Sequence, residues 1–273
     1  MSDQPTPAVE LTDATLAIGD RLLWSDLDLK VTPGEFIAVL GPNGSGKTTL
    51  LRAILGQVPL SGGTLSVHGR LGYVPQQHAD DADTMALRGR DLVGFGIDGS
   101  AWGIGLRGWR RRTQRVDAAV AEVGAQDFVD RPFGLLSGGE QQRLRMAQAL
   151  TNDPSVLLCD EPLASLDLRN QRTVVDLLDT RRRTHDTAIL FVTHEINPVL
   201  PFVDRVLYLV DGRFRIGTVA EVMNSATLSE LYGSRVDVAE VAGRLVVLGG
   251  DGEHHHCAEH TYDDHDPTWV ITR

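Results

Sequence analysis

The chain has 273 residues, 42% of them hydrophobic, and a formal net charge of −11. Its apolar runs, such as Ala188-Ile189-Leu190-Phe191-Val192, are strand-sized and far below the ~18 residues of a spanning helix, and the acidic balance argues against broad nucleic-acid binding. Two cysteines, Cys159 and Cys257, cannot make a disulfide framework, and Met1-Ser2-Asp3-Gln4-Pro5 has neither a basic nor an apolar leader region, so a reducing cytoplasm is expected.

In chain order, residues 9–31 alternate apolar and polar side chains (Val9, Leu11, then Leu27, Leu29, Val31) and predict antiparallel strands running into Pro33-Gly34. A short buried strand follows at 35–40 and a helix at 49–55. Between them Gly41-Pro42-Asn43-Gly44-Ser45-Gly46-Lys47-Thr48 fits G-x-x-x-x-G-K-[ST], the phosphate-binding loop. Glycines there let successive N–H groups turn toward phosphate oxygens, the helix start adds positive charge, Lys47 can reach the β- and γ-phosphates, and the Thr48 hydroxyl can ligate Mg²⁺. Thr49 closes this candidate nucleotide-binding set. Residues 64–67 and 72–74 read as further strands, the second ending at Pro75-Gln76. From 79 to 135, Gly-rich and basic stretches precede a helical pattern (Val116, Ala119, Val120, Val123), which predicts an inserted helical lobe. Helix 140–151, strand 156–159, helix 168–183 and strands 188–192 and 206–209 then alternate as a mostly parallel α/β sheet requires. One helix after 219, a hairpin at 236–250 and a polar tail at 251–273 complete the chain.

Strand 156–159 ends in Asp160-Glu161. An aspartate there suits a nucleotide's Mg²⁺, and the adjacent glutamate suits a general base for water; taken alone, the pair equally fits a solvated strand end. Leu136-Ser137-Gly138-Gly139-Glu140-Gln141-Gln142-Arg143 opens a helix with a serine and two glycines, a further anion site at a helix start. With these motifs the chain resembles the ATP-binding subunit of ABC transporters, a P-loop NTPase fold, over residues 8–235. LSGGEQQR is that family's signature.

The resemblance implies two copies paired head to tail, with ATP held between one copy's phosphate loop and the other's Ser137, Gly138 and Gly139. It further implies that Gln76 contacts Mg²⁺ or water, that Asp167, in Ala164-Ser165-Leu166-Asp167, reaches across the dimer, and that His194 holds the γ-phosphate and orders the catalytic Glu161. Each has a plainer reading: turn residue, helix N-cap and strand-end polar group, respectively. Ile18 falls where the family usually stacks an aromatic on adenine, and Trp24 nearby aligns with a core position. ATP and Mg²⁺ are the implied cofactors.

The family docks its permease on the lobe at 79–135, where Arg107, Arg110, Arg111, Arg112 and Arg115 form a docking or simply solvated basic face. That implies transmembrane partners, a solute-binding protein outside, and a place at the cytoplasmic face of the membrane. Thr193-His194-Glu195-Ile196-Asn197-Pro198 and the stretch 217–233 resemble zinc- and manganese-type importers. The tail carries His254, His255, His256, His260 and His265 with Cys257, ligand types that suit zinc at a spacing matching no structural zinc site; a solvated tail is the other reading. A different solute, such as a siderophore, and a soluble regulatory ABC protein are the rival expectations.

Overall fold

The computed structural model describes residues 6–76, 82–98 and 109–249. In chain order the elements are β1 (Val9–Ile18), β2 (Arg21–Val31), β3 (Phe36–Leu40), α1 (Lys47–Ile54), β4 (Gly62–Val67), β5 (Leu71–Val74), α2 (Ala82–Ala86), α3 (Gly89–Asp98), α4 (Trp109–Glu122) and α5 (Gly138–Leu150). There follow β6 (Val156–Asp160), α6 (Leu168–His185), β7 (Ala188–Val192), β8 (Arg205–Val210), β9 (Arg213–Gly217), α7 (Val219–Val222), α8 (Ser225–Tyr232), β10 (Val236–Val241) and β11 (Arg244–Gly249).

The central sheet has the order β5-β6-β7-β3-β8-β9, parallel from β5 to β8, with β9 added antiparallel at one edge. Every residue of β3, β6 and β7 is buried. A strand covered on both faces must be apolar throughout, which is why these segments are unbroken runs such as Ala188-Ile189-Leu190-Phe191-Val192. Alternate residues feed two separate cores. Phe36, Ala38, Leu157, Ile189 and Phe191 pack toward the helices, among them Leu144 of α5 and Val174 of α6. Ile37, Val39, Leu158, Leu190 and Leu207 face α1 and a second sheet, antiparallel, of order β2-β1-β4. Trp24 of β2 is fully buried there, at the core position expected for it.

Helices α3 and α4 pack against α5 on the helical side, in agreement with a helical insertion between β5 and α5. Among the described residues no helix is long and apolar enough to cross a membrane. Two stretches differ from the sequence reading. The single helix expected after 219 is two, α7 and α8, each with its own N-cap, Thr218 and Asn224. Strand β9 is an added edge, turned back from β8 at Asp211-Gly212, both at positive φ. The C-terminal hairpin forms its own two-stranded ribbon, with Val236 paired to Gly249.

Candidate functional site

Four neighbouring strands of the parallel sheet end at one place. Gly41 follows β3, Gln76 lies just beyond β5, Glu161 follows β6, and His194 stands just beyond β7. The carboxyl ends of parallel strands are where open α/β sheets gather ligands, because each strand releases a loop there beside a helix start.

The loop from Gly41 to Thr48 needs its glycines for space as well as for backbone freedom. Gly41 stands at φ 140°, and a Cβ on it would lie 2.0 Å from the Leu209 carbonyl oxygen. Gly46 stands at φ 96°, with Trp24 and Leu23 filling the room below it. Lys47 is buried, and its Nζ donates to the carbonyls of Gly41 (2.7 Å) and Pro42 (2.8 Å) across its own loop. Burial holds its ammonium below the usual lysine range, against the pull of Glu161 and Asp160. The Ser45 hydroxyl is buried and lacks a hydrogen-bond partner among the described residues, so the loop holds a donor that a bound phosphate can use. Arg21, which the sequence did not single out, closes the outer side by donating to the Gly44 carbonyl (3.1 Å).

Asp160 ends β6 almost fully buried. Thr48 Oγ1 donates to its Oδ1 (3.0 Å), and the Tyr73 hydroxyl approaches Oδ2 (3.4 Å). Burial pushes the Asp160 carboxyl up, with the Thr48 bond opposing it. The same burial and the neighbouring Asp160 push the Tyr73 phenol up to about 12, so it stays a donor. Tyr73 is a second residue that sequence reasoning missed; its place on β5 beside β6 is a tertiary fact that no local motif records. The oxygen donors of Thr48, Asp160 and Gln76 are of the kind that a hard cation such as Mg²⁺ takes together with substrate phosphates. Among the described residues, no group of three or more His, Cys, Asp or Glu side chains is placed to hold a metal alone. The tail histidines His254, His255, His256, His260 and His265, with Cys257 and Arg107, lie outside the described residues.

Glu161 stands at φ 49°, a left-handed turn that takes its side chain off the strand line. One carboxylate oxygen is 2.7 Å from His194 Nε2 and the other accepts from Gln76 Nε2 at 3.0 Å. Three residues that are far apart in sequence therefore meet on one carboxylate. Open clefts of about 450 Å³, beside Thr48, Tyr73, Gln76 and Asp160, and about 270 Å³, beside Glu161, Ser165 and His194, flank the Asp-Glu pair.

The remaining expected residues form a second group. Ser137 caps α5 in a reciprocal box: its hydroxyl accepts from the Glu140 N–H (3.4 Å), and its own N–H donates to the Glu140 carboxylate (2.8 Å). The Ser137 backbone bond holds the Glu140 carboxyl below its usual range. Asp167 is the N-cap of α6, accepting from the Asn170 N–H (2.8 Å) and side-chain amide (2.9 Å). That same Asn170 amide fills the space beside Gly139, where a Cβ would lie 2.3 Å from it; Gly138 has open space around it. Ile18 is exposed at the hairpin end beside Arg21.

Residues 24–164 match the family model described as ABC transporter. Among similar proteins, the zinc transport system ATP-binding protein TroB of Treponema pallidum is 36% identical over 237 residues, covering 84% of this chain and 88% of that one. The hemin import ATP-binding protein HmuV of Rhodopseudomonas palustris is 36% identical over 233 residues (80% and 86%), and the manganese transport system ATP-binding protein MntB of Bacillus subtilis 33% over 238 residues (84% and 93%). An inward-facing ABC transporter of metal-chelate type superposes with a TM-score of 0.77 at 26% identity, covering 88% of this chain and 96% of that one. A dimeric ATP-binding cassette bound to ADP and Pi gives 0.64 at 25% identity (77% and 98%). Fold, motif order and these likenesses agree: the chain belongs to the ABC transporter family, as its ATP-binding and ATP-hydrolysing subunit.

Proposed function

We propose that this subunit powers import of a divalent metal, zinc or manganese, by hydrolysing ATP at a site completed by a second copy of the chain. The observation that carries the catalytic part is Glu161 held between Gln76 and His194, beside an Asp160 already bound to Thr48. A water in line with the γ-phosphorus gives its proton toward the Glu161 carboxylate as its oxygen bonds to phosphorus, and the bond to the β-γ bridging oxygen breaks, releasing ADP. His194, on the opposite carboxylate oxygen from Gln76, fixes the direction of that carboxylate and can donate to the γ-phosphate. Lys47 exchanges two peptide carbonyls for phosphate oxygens, which are stronger acceptors. Thr48, Asp160 and Gln76 would hold Mg²⁺, which when bound offsets charge on the phosphates.

Ser137, Gly138 and Gly139 serve the partner's nucleotide, presenting a helix start to its phosphates, and Asp167 lies at the same rim. The helical lobe faces the permease, at the cytoplasmic side of the membrane, and a solute-binding protein delivers cargo from outside. The zinc and manganese relatives support the cargo class. The hemin relative supports a second reading, a metal chelate. The tail histidines are candidates for sensing zinc.

In the complex with its co-purifying permease, Glu161→Gln is expected to keep ATP binding while lowering turnover at least ~100-fold, since general-base catalysis contributes about that much. Near-normal turnover overturns the assignment. Uptake of labelled zinc, manganese and hemin into vesicles holding that complex separates the two cargo readings.

A further inference from the structure

Asn197 makes contacts that the hydrolysis site does not account for. Its side-chain amide donates from Nδ2 to the Leu245 carbonyl (3.0 Å) and accepts at Oδ1 from the Leu245 N–H (2.8 Å). A carboxamide carries a donor and an acceptor side by side, as one peptide unit of a strand does, so it satisfies both groups of a residue on the edge of β11. The segment between His194 and Asn197 has two local holds. Thr193 Oγ1 accepts from the Glu195 N–H (3.1 Å) and donates to the Glu195 carbonyl (2.9 Å), and Ile196 is a buried plug in the helical core.

The ribbon β10–β11 pairs with no other strand of the described chain. A two-stranded ribbon is marginal alone, so its position depends on what it touches. Two serines of α8 hold one strand: Ser225 Oγ accepts from the Val238 N–H (2.8 Å) and Ser229 Oγ from the Val236 N–H (2.9 Å). Asn197 holds the other at Leu245, whose side chain packs against the helical core. Asn197 thus ties β11 to the segment that carries His194, whose Nε2 lies 2.7 Å from the Glu161 carboxylate.

We propose that Asn197 is a positioning residue for hydrolysis, and that the C-terminal ribbon is thereby a control element of the ATPase. The inference rests on the catalytic reading of Glu161 and His194 above. Ribbon displacement releases Asn197, the loop that carries His194 keeps only its Thr193 turn and the Ile196 plug, and turnover falls, while the phosphate loop and its grip on nucleotide are untouched.

The test uses the chain in complex with its permease, measuring kcat and KM for ATP at a temperature well below the melting point of each variant. Asn197→Ala is expected to lower kcat about tenfold with KM within about twofold, the pattern of a lost transition-state arrangement rather than lost binding. Asn197→Leu, similar in volume but unable to make either bond, should match Asn197→Ala. Asn197→Asp keeps the Leu245 N–H bond and sets a carboxylate against the Leu245 carbonyl, so its kcat should fall between the two and the wild type. Unchanged kcat in Asn197→Ala, a rise confined to KM, or full activity in Asn197→Leu would each overturn the proposal. His194→Ala is the control: retained hydrolysis there defeats the catalytic reading beneath it, whereas lost hydrolysis with an active Asn197→Ala defeats this inference alone.

Discussion

At the scale of single residues, the site holds one backbone conformation and one buried acid that the fold alone would not choose. Glu161 sits in the left-handed region, which costs a non-glycine residue of order 1–3 kcal/mol, and its N–H bond to the Val192 carbonyl, with Gln76 and His194 on its carboxylate, holds it there. Asp160 is a carboxyl nearly closed off from water. Because burial raises its folded pKa above the unfolded value, the ionised form opposes folding at neutral pH; that cost shrinks once pH falls below the raised pKa and is gone below the unfolded one. Asp160→Asn is accordingly expected to raise Tm at pH 7 while removing hydrolysis, with the gap in Tm closing as the pH is lowered toward the acid range. Melting curves across pH check this; a lower Tm at pH 7 would contradict it. The loop residues were legible in the sequence because their chemistry demands fixed types at fixed spacing. Tyr73 and Arg21 were not, since each acts through a contact set by strand pairing, as when β5 lies beside β6.

The elements tell the same story about local and distant information. Strands β3, β6 and β7 were plain as apolar runs, and the box at Ser137 was written in Ser137 and Glu140 at N-cap spacing. Asp211-Gly212 is a strong two-residue hairpin signal, and it marks the turn into β9 that the reading by apolar runs passed over. Asn224, an N-cap, divides the last helical stretch where periodicity alone showed one helix. Asp167 was weighed as a plain helix cap, and the cap is what this single chain shows. Ser137 caps α5 and is proposed to meet the partner's phosphate, and substitutions part the two roles. Ser137→Ala removes the cap and is expected to cost about 1 kcal/mol of stability. Ser137→Asp keeps a capping oxygen but exchanges the hydroxyl that donates to the Glu140 carboxylate (2.9 Å) for a second carboxylate, so its stability should lie near that of Ser137→Ala. It also places a carboxylate toward the partner's phosphates, so hydrolysis should be lost. Denaturant titration beside an ATPase assay distinguishes the two; an active Ser137→Asp would show that this helix start meets no phosphate.

For the whole molecule, the architecture was readable because motif order along the chain maps onto strand order in space. Gln76, Glu161, His194 and Gly41 follow β5, β6, β7 and β3, which stand next to one another in the sheet. What one chain cannot display is the complete site. Lys47, Thr48, Gln76, Asp160, Glu161 and His194 gather at the strand ends, whereas Ser137 and Gly139 make their contacts with Glu140 and Asn170. On the proposed reading, two incomplete rims on one chain become two complete sites when two chains face each other in opposite directions. The most direct measurement mixes two inactive variants, Lys47→Ala and Ser137→Asp, in the presence of the permease and follows ATP hydrolysis. In a mixed dimer, one interface pairs the intact phosphate loop of one chain with the intact Ser137 of the other, so activity absent from either parent should appear on mixing. A mixture as silent as its parents, with mixed dimers demonstrably formed, would contradict the shared site.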